Sequence, residues 1–139
     1  MPNGRFFDNF ADSVLKGWLW REVGQFPVNY EIGALIALPT DGTGTSLVEV
    51  TAASYSRQTY GSGPSNWDSI GGGSRTIVSS TEVLWPEAEE YWGVMVGYVL
   101  RDAANTTRLI AYGTTPPVSI AEGARARILA GGMVIKLPW

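Results

Sequence analysis

From Tyr30 onward the chain is a succession of short apolar runs, each closed by glycine, proline or small polar residues, and that punctuation limits the fold more than any other feature. Tyr30 to Leu38 reads Tyr-Glu-Ile-Gly-Ala-Leu-Ile-Ala-Leu and runs into Pro39-Thr40-Asp41-Gly42-Thr43-Gly44. A nearly continuous apolar run followed by turn chemistry predicts a buried strand. The same signature predicts strands at Leu47 to Thr51, Ser54 to Tyr60, Arg75 to Ser80, Glu82 to Trp85, Trp92 to Arg101, Leu109 to Tyr112, Val118 to Ile120, Arg125 to Leu129 and Met133 to Leu137. Their predicted connections include Gly61-Ser62-Gly63-Pro64, Gly71 to Ser74, Asp102 to Thr107, Pro116-Pro117 and Gly131-Gly132. No helical period intervenes, so an α/β chain of alternating strands and crossover helices is excluded. The expectation is a mainly β protein, an antiparallel β-sandwich of jelly-roll type.

One helix is predicted ahead of the strands. Phe7, Phe10, Ala11, Val14, Leu15, Trp18 and Leu19 recur at spacings of three and four, which makes a single apolar stripe. Asp8 or Asn9 is placed to cap its start, and Pro27 lies beyond its end. Gly17 weakens it by about 1 kcal/mol relative to alanine. The chain thus divides into an N-terminal helix and linker arm over residues 1–29 and a β-sandwich domain over 30–139. Two dispositions of the helix stay open: packing on its own domain, or docking Trp18 and Trp20 on another subunit.

Chemistry is pruned by what is missing. The 139 residues contain no His and no Cys, which removes Ser-His-Asp triads, cysteine nucleophiles and imidazole or thiolate metal sites. Only two lysines are present, Lys16 and Lys136. Net charge is −3 and the pI about 4.9, against a duplex-binding surface that needs clustered cations. The longest strongly apolar stretch, Trp92 to Leu100, is too short to span a bilayer and is broken by Gly93 and Gly97. The acidic Asp8 sits where a signal peptide needs its apolar run. The expectation is a soluble product made in the cytoplasm, binding neither nucleic acid nor membrane. Its length allows a core without disulfides or metals, with roughly 7,000 Å² left accessible.

Three constellations carry residue types suited to chemistry. Glu87, Glu89 and Glu90 are paired carboxylates, but in one short connection they lack the cleft and the set separation of a glycosidase. Asp41-Gly-Thr-Gly-Thr has one carboxylate where a calcium loop has several. Gly71-Gly-Gly-Ser-Arg75 lacks the Gly-Lys-Ser/Thr ending and the following helix of a phosphate loop. No catalytic residue, metal site or cofactor is therefore expected. Gly61 to Ser74 is a long connection with Trp67 at its middle, either a flexible loop with Trp67 tucked onto the sandwich or a partner-contacting arm.

The order of segments resembles a family of small tailed-bacteriophage virion proteins, commonly labelled tail-fibre-like or capsid decoration proteins. The resemblance runs over the helix and linker (Asn9 to Asn29), then the strand and turn from Tyr30 to Gly42. It continues through Val48-Glu49-Val50 and Ser54-Tyr55-Ser56-Arg57-Gln58, then Leu84 to Ala88, Trp92-Gly93-Val94 and Arg101-Asp102-Ala103. It ends with Leu109 to Gly113, Val118 to Gly123, and Ala130 to Leu137. The resemblance implies a non-enzymatic virion subunit. A length of 139 residues without heptads or fibrous repeats does not build a shaft, which favours a capsid decoration (cement) protein on the head, with a tail-fibre or tail-tip receptor-binding protein as the alternative. A carbohydrate-binding β-sandwich module is the second alternative. The expected partners are further copies of itself, as a homotrimer, and the major capsid protein or other virion proteins. Six tryptophans are more than a small core easily hides, so Trp18, Trp20, Trp67, Trp85 and Trp139 are the candidate protein-interface residues.

Overall fold

A computed structural model describes residues 5–19, 26–70 and 76–136, with only the backbone of Gly17 and Trp18. The element order is β1 (Arg5–Phe6), α1 (Asp8–Leu19), β2 (Asn29–Ala37), β3 (Val48–Glu49), β4 (Gln58–Gly61), β5 (Trp67–Ser69), β6 (Thr76–Ser79), β7 (Val83–Glu87), β8 (Gly93–Asp102), β9 (Asn105–Ile120), β10 (Arg125–Ile128) and β11 (Val134–Lys136). The protein is mainly β, every described strand pair is antiparallel, and one helix stands near the N-terminus.

The largest sheet has the order β1-β9-β8-β2, with β3 and β4 sharing the outer edge of β2. Two smaller sheets, β10-β7 and β11-β6-β5, complete the fold. Side chains alternate across β2. Ile32 and Ala34 enter the main core with Tyr98, Leu100, Trp85, Ala126, Ile128 and Met133, which draws elements of both smaller sheets onto that face in a sandwich-like arrangement. Leu35 and Val99 point the other way and form a second cluster with Phe7. The helix packs in cis through its first turn, because Phe7 and Phe10 bury in these two clusters, while Leu15 and Leu19 remain exposed.

Several elements differ from the sequence expectation: β1 pairs with β9 where the sequence predicts no strand, and the expected connection Asp102 to Thr107 narrows to Ala103-Ala104 between β8 and β9. Leu109 to Tyr112 and Val118 to Ile120 belong to one strand, β9, running through Pro116-Pro117. Its register slips by two residues there: Met95 faces Val118 and Gly97 faces Thr114. Proline has no N–H for a ladder, and a bulge is where a strand tolerates it. Part of the glycine-rich connection is strand β5, whose three residues pair with β6. The segment Ser54 to Arg57 is not strand; pairing begins at Gln58.

Candidate binding cavity

Between the inner faces of the large sheet and the β11-β6-β5 sheet lies an apolar cavity of about 480 Å³. One wall is Ser69, Ile77 and Ile135, which stand side by side in register across three strands. The facing wall is Leu100, Ile110 and Ala111, and Phe6, Phe10, Tyr30 and Trp67 surround it. Ile110 and Ala111 are sequence neighbours yet line one cavity. The β8–β9 register accounts for this: Leu100 faces Ala111 and Arg101 faces Leu109, so Ile110 is an extra residue at a bulge.

Trp67 is fixed by its surroundings. Its Nε1 donates to the Gly61 carbonyl at 3.0 Å, and its ring meets Tyr60 and Tyr30 edge-on at 5.2 and 6.1 Å. The preceding turn is tied down as well. Tyr60 Oη donates to the Asn66 carbonyl at 2.6 Å, and the Ser80 amide donates to that carbonyl at 2.9 Å. Gly63 turns the chain at φ 94°, in the left-handed region that glycine favours. The Trp67 half of this connection is therefore folded onto the body, and residues 71–75, with the Gly-rich phosphate-loop candidate, lie outside the described residues.

The other candidate interface residues separate. Trp85 is 0 % exposed at the centre of the main core, so its assignment to an interface is corrected: its ring is already covered by this chain. Tryptophan count alone could not find this, because Trp85 alternates with Leu84, and only the strand's register says which of the two faces inward. Trp20 and Trp139 lie outside the described residues, and so does the side chain of Trp18. Of the two candidates whose side chains are described, Trp67 is the one that lines the apolar cavity.

The opposite face of the large sheet carries a charged cluster that sequence reading missed. Glu49 accepts from Tyr55 Oη at 2.5 Å, from Arg57 Nε at 2.8 Å and from Arg101 Nη2 at 3.1 Å. Its side chain is only 11 % exposed and that of Arg101 13 %. Gly33 makes room for it, since a Cβ there would lie 2.7 Å from the Glu49 carboxylate carbon. Tyr55 Oη also accepts from the Ala34 amide at 2.9 Å, on the stretch of β2 edge between β4 and β3. Burial alone would raise the Glu49 carboxyl, but the hydrogen bonds from Arg57 and Tyr55 and the two guanidinium charges outweigh it and hold it below its ordinary value. Burial, then the bond to Glu49 and its charge, push the Tyr55 phenol far up and keep it a donor. All the hydrogen-bonding capacity of Glu49 goes inward, so the cluster is a clamp joining β3, the Tyr55–Arg57 segment and β8.

Two further carboxylates are tied into local structure. Glu90 accepts from the Ser54 amide and hydroxyl at 2.9 and 2.7 Å, which lowers its carboxyl. Asp41 accepts from the Thr43 hydroxyl and amide in a local turn. Among the described residues no group of three or more acidic side chains is placed to hold a metal, and no helix is long and apolar enough to cross a membrane.

A family model described as Podophage GP4 fiber I protein gp80 matches residues 12–136. The matched span holds most of the cavity lining and the whole Glu49 clamp. No curated protein matches the chain.

Proposed function

The chain belongs to the podophage GP4 fiber I protein gp80 family, and from that premise we propose that it is a non-catalytic fibre-type subunit carried on the tail of the virion. Membership makes it a phage structural protein of the fibre class and a component of the virion. Within that class the family's description favours the tail-fibre alternative over capsid decoration, the role expected from chain length. The described strands form a sandwich-like globular body, which fits a non-shaft part of a fibre assembly. The observation that carries the reading is the family match across nearly the whole chain. The clamp and the cavity are consistent with it: the one rigidifies a scaffold, and the other offers apolar surface for binding rather than groups for chemistry.

Copy number in purified particles, measured against the major capsid protein, tests this. A tail position predicts a few to a few tens of copies and density at the tail in a particle reconstruction. Hundreds of copies on the shell would restore the decoration role.

A further inference from the structure

We draw no further inference here: the strongest candidate, the apolar hollow beside Trp67 between the large sheet and the β11-β6-β5 sheet, carries none because nothing in the structure shows what covers it.

Discussion

On one face of the six-stranded sheet the Glu49 carboxylate lies across Gly33 and gathers Tyr55, Arg57 and Arg101, while on the other about 480 Å³ between Ile110 and Ile135 stands unfilled. The same strands, β2, β8 and β9, supply both faces. The difference lies in what covers them. The clamped face is closed by segments of the chain itself, with each hydrogen-bonding group of the carboxylate used internally. On the cavity face residues of the smaller sheets pack onto the same core, and the hollow beside Trp67 lies between them and the large sheet. A structural subunit needs both kinds of surface, one that holds shape and one that can be shared.

The largest effect expected is at the clamp. Glu49→Ala leaves two guanidinium groups and a phenol facing one another without their acceptor. Breaking a buried pair from one side costs about 3–5 kcal/mol, which in a domain of this size lowers the melting temperature by roughly 10 °C or more. A thermal shift within a degree or two of wild type would reduce the clamp to an ordinary surface pair, and with it the contrast between the faces.

Gly33→Ala comes next. The added methyl would lie 2.7 Å from Glu49 Cδ and 2.9 Å from Val99 Cγ1, so one of them must move. Overpacking of that kind costs about 1–3 kcal/mol. The penalty should shrink in the Glu49→Ala background, where the nearest obstacle is gone. A double-mutant cycle by chemical denaturation measures that coupling, and strict additivity would mean that Glu49 does not rest on Gly33.

Acid should loosen the clamped face by a smaller amount, because a neutral carboxyl still accepts some of the same hydrogen bonds. The Glu49 carboxyl is held below its ordinary value of 4.5 in the fold. A depressed carboxylate contributes stability that is fully present above the unfolded value and is lost as pH falls through the folded one. Denaturation midpoints measured from pH 6 downward should therefore decline below about pH 4.5. The Glu49→Gln variant should decline less over that window, and parallel curves for the two proteins would assign the acid sensitivity to other carboxylates.

The helix and most strands were legible because their signals are local. Phe7 and Phe10 sit at helical spacing and both bury, and the run from Tyr30 is a strand because glycine-rich turn chemistry follows it directly. The clamp was not legible: Arg57 and Arg101 meet Glu49 from 8 and 52 residues away, and only the β2–β8 and β2–β3 registers bring them together. The cavity was hidden for a related reason. It depends on the slip that makes Ile110 an extra residue, and no periodicity in Leu109 to Tyr112 announces a bulge. Pro116-Pro117 misled in the opposite direction, since a turn and a bulge present the same two residues. Of the two candidate tryptophans with described side chains, Trp67 led to the cavity, and it did so through its place in a long connection rather than through tryptophan content.

The smallest effect sharpens the comparison most, because it repeats the test of added volume on the other face. Ala111 is buried, pairs with Leu100 on β8 and Phe6 on β1, and lines the cavity. Ala111→Val adds two methyl groups where Gly33→Ala adds one, and β-branching suits a strand. If the space beside Ala111 is open, the larger addition is the better tolerated, and stability should stay level or rise by up to about 1 kcal/mol. Chemical denaturation of the two variants side by side gives opposite signs under this account. A loss of 1–3 kcal/mol for Ala111→Val, the overpacking range, would mean that both faces of the sheet are equally full, and the hollow beside Trp67 would no longer separate them.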